Sequence, residues 1–257
     1  MGILEVVDET ILTSDWHVLH RNIYWFLPEQ RSRLSGAENP KSLSDEQFVV
    51  AERVLYNRIL HEVERVVSAG GITRFILLGD LIFGLNKHGG LGHKIDFLRD
   101  ELPQIGEIFA FLKESGVQRI LLLGNHDDFK LGNARARSLY EALFDEITYY
   151  LHEDETLYTH FPLGYSIARD KTLGTEDEKF YRMHKTFQKL DRKLLEAIGE
   201  KPVVNYHGHI HQGPFPFALP NVQYKNVAID ASGDASSNAS SFLQELTRAT
   251  DDRLDHI

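Results

Sequence analysis

The chain contains no cysteine. That absence excludes a disulfide framework, a zinc–thiolate finger, an iron–sulfur cluster and a thiol nucleophile. Positive charge is also in short supply. Lys and Arg number 28 against 38 Asp and Glu, for a formal charge of −10. Such a balance excludes a binder that grips nucleic acid or an anionic membrane by bulk charge, though not a local positive site. Long apolar runs are missing too; the longest are short stretches such as Phe75 to Leu78, far below a membrane span. Met1 to Glu9 carries Glu5, Asp8 and Glu9 and has no basic start or apolar core, so it does not read as a secretory leader. Val6 stands where N-myristoylation needs Ser or Thr. The expectation is a soluble cytoplasmic protein with no membrane partner.

What the chain does have is histidine, 13 in 257 residues. Neutral imidazole is the commonest metal ligand once thiolates are absent. No repeat and no linker divides the sequence, so it reads as one domain over 1–257, with residues 231–257 as a polar C-terminal extension.

Short apolar runs alternate with amphipathic ones. Thr10 to Thr13, Phe75 to Leu78 and Ile120 to Leu123 read as strands, the last two of the fully buried kind. Ser44 and Gln47 form a capping box that opens a helix with Phe48, Ala51, Leu55, Ile59, Val63 and Val66 on one face, ended by Gly70-Gly71. Pro103 interrupts the next helical pattern, which resumes with Ile105, Ile108, Phe109 and Leu112. Leu139 and Leu143 mark a shorter helix. Ile147 to Leu151 and Thr156 to Thr159 read as paired strands. Thr175 and Glu178 form a second capping box, opening a helix with Phe180, Met183, Phe187, Leu190, Leu194 and Ile198 inward. Val203-Val204 and Val222 to Ile229 are late strands. The alternation is that of an α/β domain with a substantially parallel sheet, joined by a second, more antiparallel one. Asn22 to Leu43 reads as a long irregular segment.

The ends of the strands carry the chemistry. The first runs into Ser14-Asp15-Trp16-His17, the second into Gly79-Asp80, the third into Gly124-Asn125-His126-Asp127. Thr156 to Thr159 runs into His160, and Val203-Val204 into His207-Gly208-His209-Ile210-His211. In open α/β sheets ligands bind outside the carboxyl ends of the strands. Carboxylate, amide and imidazole donors suit manganese, iron and zinc. They are too many for one tetrahedral ion, so two ions sharing a bridging carboxylate is the natural reading. Singly, each motif has a plainer explanation as a cap, a loop start or a solvated turn; all of them together would require repeated coincidence.

The order D-x-H, G-D, G-N-H-D, H, G-H-x-H resembles the calcineurin-like metallophosphoesterase superfamily, and the likeness spans Asp15 to His211. A G-N-H-D tetrapeptide alone arises by chance in roughly one chain in a thousand at average composition. The resemblance implies a four-layer αββα sandwich, two mixed sheets flanked by helices, with a dinuclear site at one edge. It implies that Asp15, His17 and His211 hold one divalent ion (manganese, iron or zinc), that Asn125, His160 and His209 hold the other, and that Asp80 bridges both. His126 matches the family's catalytic histidine. The implied reaction is hydrolysis of a phosphodiester or small phosphomonoester by in-line attack of a metal-bridging hydroxide, with His126 protonating the departing oxygen or stabilising charge on the phosphoryl group. Gly79, Gly124 and Gly208 are expected to let the backbone turn sharply where a ligand is delivered. The D-x-H-x-x-H-x-N start is like that of small bacterial and phage-type members, which makes His20 and Asn22 candidates for contact with the substrate phosphate; a structural hydrogen bond is the competing role for His20.

Asp127 is read as orienting His126 or capping a turn, and His207 as supporting the site or lying on the surface. His88 and His93 lie in or beside the glycine-rich stretch 84–92, which reads as a long surface loop, with gating of the site as the competing role. Tyr24, Trp25 and Phe26 are core or a substrate wall. The helix after Thr175 carries Lys179, Arg182, Lys185, Lys189, Arg192 and Lys193, which read as a solvated basic face or, if they border the metal edge, as an attraction for a polyanionic substrate. One departure narrows the resemblance. The protein serine/threonine phosphatase branch has G-D-x-x-D-R-G, whereas Gly79-Asp80 is followed here by Leu81-Ile82-Phe83-Gly84-Leu85. The second acid and the arginine are absent, which argues against phosphoprotein as substrate. The competing readings are a metal-dependent nuclease on short or single-stranded nucleic acid, with nucleic acid as substrate only, and a non-catalytic partner-binding scaffold. The scaffold is expected to have lost ligands, and all eight motif positions are intact.

Overall fold

A computed structural model describes residues 3–82, 91–127, 134–165, 178–211 and 219–231. Two mixed sheets lie face to face, with helices on their outer faces. The first contains β1 (Glu5–Val7), β2 (Thr10–Thr13), β3 (Arg74–Leu77), β4 (Gln118–Leu122) and β5 (Glu146–Thr148), in that spatial order. β1 pairs antiparallel with β2, and the other three pairings are parallel. The second contains β6 (Tyr150–Glu153), β7 (Thr156–Thr159), β8 (Val203–His207) and β9 (Val222–Asn226), with β6–β7 antiparallel and the rest parallel. The second sheet is therefore mixed like the first, not predominantly antiparallel.

The continuous apolar strands are buried on both faces, as their composition requires. Ile11, Phe75, Leu77 and Leu121 pack outward against α3 (Asp45–Ser68) and α5 (Pro103–Glu114) through Leu55, Ile59, Val63, Ile108 and Leu112. The alternate residues Leu12, Ile76, Leu78, Ile120 and Leu122 point the other way and meet Tyr158, Tyr206 and Val227 of the second sheet. On that sheet's outer face, Leu157 and Val203 pack against Leu194 and Ile198 of α7 (Glu178–Ile198). The layers thus run helix, sheet, sheet, helix.

Several boundaries fall where the sequence places them. Ser44 Oγ accepts from the Gln47 N–H, and the Gln47 side chain accepts from the Ser44 N–H, closing the capping box of α3. Pro103 separates α4 (Leu91–Glu101) from α5, and α6 spans Ala134–Leu143. Others differ. Ile147 to Leu151 is two strands, because the chain leaves β5 in one sheet and enters β6 in the other at Tyr149. The 22–43 segment is not irregular. It holds α1 (Arg21–Phe26), α2 (Pro28–Ser35) and a turn of 3-10 helix at Pro40–Ser42. Helices of six and eight residues are too short to show a periodicity, and each starts on a local device: the His20 side chain accepts from the Ile23 N–H, and Pro28 takes the first turn of α2. Thr175, the 84–90 part of the glycine-rich stretch and the extension from residue 232 lie outside the described residues, while Leu91, Gly92 and His93 open α4 instead of continuing a loop.

Candidate metal centre

Parallel strands deliver their carboxyl ends to one edge of the sandwich, and the motif residues sit there. The turn after β2 is tied to the turn after β3: Asp15 N donates to Gly79 O (3.1 Å), and His17 N donates to Asp80 O (2.9 Å). Within the second sheet, Gly208 N donates to His160 O, and across the two sheets Ile229 N donates to Ser14 O. Asp15, His17, Asp80 and His209 all hold φ between 49° and 65°. Left-handed backbone at non-glycine residues is uncommon, and its clustering in four motif residues marks a strained, over-determined site.

The glycines serve two different purposes. Gly79 is left-handed at φ 92°. Gly124 and Gly208 are not; they are required for space. A Cβ on Gly124 would stand 2.3 Å from Asp80 Oδ1, and one on Gly208 would stand 1.9 Å from Ser14 Oγ and 2.2 Å from Asp15 Oδ2. Sharp turning is thus required only of the first of the three, where a Cβ would also stand 2.6 Å from His160 Nδ1.

Asp15 is fully buried. Its Oδ2 accepts from Ser14 Oγ (2.6 Å) and from the His209 N–H (2.8 Å). Its Oδ1 has no hydrogen-bond partner and faces His17 Nε2 and His211 Nε2, each at 3.6 Å. Those two ring nitrogens are 3.2 Å apart. Asp80 Oδ1 accepts from the His126 N–H (2.8 Å). Its Oδ2 lies 3.8 Å from His17 Nε2, 3.4 Å from His160 Nε2 and 3.9 Å from His126 Nε2. His160 Nδ1 donates to Leu78 O at 2.7 Å, so in the neutral ring the Nε2 lone pair points at Asn125 Oδ1, 2.9 Å away. A shared cation relieves such a meeting of acceptors. His209 closes the cluster with its ring 5.2 Å from that of His160.

Burial works against charge on Asp15 and Asp80, yet the surrounding imidazoles outweigh it and hold both carboxyls below the usual range. Burial pushes the His209 ring well down. His211 goes the other way: burial lowers it, but Asp15 and Asp230 raise it further. Among the described residues, three groups have donor atoms close enough together to hold a metal ion: Asp15, His17 and His211; Asp80, His160 and His209; and His17, Asp80 and His126. The residues are chemically suited to binding metal. The third group includes His126, so distance alone does not set it apart from the other histidines; its side chain is 31% exposed, against 20% for His211.

The remaining candidates divide. His20 is buried, caps α1 through Nδ1 and sits edge-on to His17 with centroids 5.4 Å apart. Burial and then the neighbouring His17, His126 and Arg31 depress it to about 2. Asn22 is exposed on α1. Asp127 does more than cap a turn. Its carboxylate accepts from Asp80 N, Leu81 N, Gly124 N and the Tyr140 hydroxyl, clamping the β3 and β4 turns together. His207 is buried rather than on the surface; its Nδ1 donates to Gly208 O, and burial lowers it to about 4. Tyr24 belongs to the core, whereas Trp25 and Phe26 are exposed. Lys185, Lys189, Arg192 and Lys193 are exposed, as a solvated face requires.

Sequence reasoning passed over Tyr140, Arg31 and Asp230. Asp230 follows the apolar run ending at Ile229, the same strand-end signature that marks Asp80. Arg31 carries no local signal at all.

No family model and no curated protein matches the chain. A solved structure, the crystal structure of Pseudomonas putida nuclease MPE, aligns over 80% of this chain at 11% identity with a TM-score of 0.37. The alignment spans 62% of that protein's length. A likeness this slight says nothing of what either protein acts on. No helix among the described residues is long and apolar enough to cross a membrane.

Proposed function

We propose that the protein is a metal-dependent phosphoesterase with two divalent ions at the strand edge. Asp15, His17 and His211 hold one, Asn125, His160 and His209 hold the other, and Asp80 is common to both. The observation that carries this is the position of Asp80 Oδ2, which faces His17 Nε2 on one side and His160 Nε2 on the other. The unpartnered, buried Asp15 Oδ1 supports it, since a buried carboxylate oxygen is costly unless a cation faces it. When bound, the ions would supply positive charge to a phosphoryl group and lower the cost of deprotonating water.

The chain's own residues do the rest. Asp80 Oδ1 fixes the His126 backbone, so the imidazole is presented at the rim with Nε2 toward the cluster. There it holds a proton at Nε2 for the departing ester oxygen. Gly124 and Gly208 leave room for the carboxylates to sit against the turns. Buried Trp16 and Tyr56 pack on each other, and the Tyr56 hydroxyl donates to Trp16 O in the turn that carries Asp15 and His17.

Manganese-supplemented protein is expected to hydrolyse bis(p-nitrophenyl) phosphate, with chelator abolishing the activity. An inert metal-replete protein across phosphomonoesters and phosphodiesters would sink the reading. Running a labelled single-stranded oligonucleotide in the same assay, with a salt titration, identifies a nuclease by steep salt dependence.

A further inference from the structure

We propose that Arg31 and Asp230 are a positioning pair for the Asp15, His17 and His211 end of the centre, an inference that rests on the metal-binding reading above. Both side chains are completely buried. Arg31 Nη2 donates to Asp230 Oδ2 at 3.0 Å, and Arg31 Nε lies 2.9 Å from Asp230 Oδ1. The same Oδ2 accepts from His211 Nδ1 at 3.1 Å. The same Nη2 reaches back to the backbone oxygens of Asp15 (3.4 Å) and Trp16 (3.3 Å). One guanidinium thus touches the strained β2 turn that carries Asp15 and His17, and through one carboxylate it touches His211, nearly two hundred positions away in sequence.

The consequence for chemistry is a choice of tautomer. With Nδ1–H donated to Asp230, the His211 lone pair resides on Nε2, the atom that faces Asp15 Oδ1 and His17 Nε2. A carboxylate behind a ligating imidazole also raises its basicity and fixes its ring plane. Asp230 alone would be a buried anion needing a partner, and Arg31 is that partner. Burial of so much charge has little stabilising value by itself; its placement behind one half of the centre gives it a purpose. Neither residue touches substrate in this scheme.

Calorimetric titration of metal-stripped protein with Mn²⁺ tests the pair. The wild type is expected to take up two ions. Asp230→Asn is expected to weaken one of them by roughly 10–100-fold and to leave the other unchanged. A purely structural role would lower stability without changing the ratio of the two affinities. Both affinities at wild-type values in the folded variant would overturn the inference. A wild type that takes up no Mn²⁺ would overturn the metal reading itself, and the inference with it. Histidine NMR of the metal-free wild type at alkaline pH reads the same contact without a variant at position 230. With His211 assigned by comparison with His211→Gln, a ring protonated at Nδ1 is expected, and one protonated at Nε2 overturns the proposal.

Discussion

At the scale of single residues, the roles proposed for Asp80 and His126 separate cleanly. Asp80→Asn is expected to reduce metal loading at both positions, because its carboxylate faces both sets. His126→Ala is expected to keep the ions and lose roughly 10²–10⁴-fold in turnover, the range for a general acid. Elemental analysis paired with steady-state rates distinguishes the two, and normal turnover in the His126 variant would cancel its role. His20 gives a second prediction at this scale. Its folded pKa is depressed to about 2, while an unfolded imidazole titrates near 6.5. As pH falls below about 6.5 the unfolded chain takes up a proton that the native state refuses. The contribution is therefore a loss of stability as pH falls, about 1.4 kcal/mol per pH unit for one proton. His207, depressed to about 4, acts in the same direction, and His211, raised, opposes it. Urea unfolding of metal-free protein between pH 7 and 5 should show His20→Asn with a slope shallower by about one proton. Asparagine keeps an acceptor for the Ile23 N–H, so the cap survives. Equal slopes in the two proteins would show that His20 does not remain neutral.

At the scale of elements, strands and helices have different responsibilities. Each parallel strand of the site delivers its motif side chains by ending, and its pairing fixes where it ends. β8 is held beside β7 by Asn205, whose Nδ2 donates to Leu157 O and Thr159 Oγ1 and whose Oδ1 accepts from Leu163 N, so the His160 turn and the His207–His211 turn are set in register. The helices supply the cover. α3 spans 24 residues and is closed by an exposed capping box. Ser44→Ala is expected to cost about 1 kcal/mol in unfolding free energy with no change in Mn²⁺ affinity. A loss of metal binding in that variant would show that α3 controls the site more directly than packing implies.

At the scale of the molecule, the proposed centre is assembled across two sheets. Asp15, His17, Asp80, Asn125 and His126 come from the first, and His160, His209 and His211 from the second. The layer between them is a small apolar cluster in which Tyr158 stacks on Tyr206 against Leu12, Ile76, Leu78 and Leu122. Leu122→Ala is expected to destabilise by about 2–5 kcal/mol. Saturating Mn²⁺ should recover part of the lost melting temperature, because ions that bind only the native state add stability by mass action. Thermal melts with Mn²⁺ and with chelator check this; a melting temperature indifferent to metal would mean that the sheets do not share a bound ion. The net charge of −10 fits an anionic substrate only if cations reside at the edge, since the chain as a whole would repel it.

The sequence by itself determined the strand-end residues. The Asp, Asn and His motifs follow apolar runs, and a parallel strand buried on both faces must put its polar residues at its end. It also determined the cap of α3 and the break at Pro103, because both are set by neighbours within four residues. The short helices of the 22–43 segment, the change of sheets at Tyr149 and the clamp from Asp127 to Tyr140 were not legible there. Neither was the Arg31–Asp230 pair. These depend on contacts between distant parts of the chain, where one buried group chooses another by proximity and by the cost of leaving charge unpaired. Local pattern named the donor atoms; only the packing of two sheets decided which of them come within reach of one another and what holds each one in place.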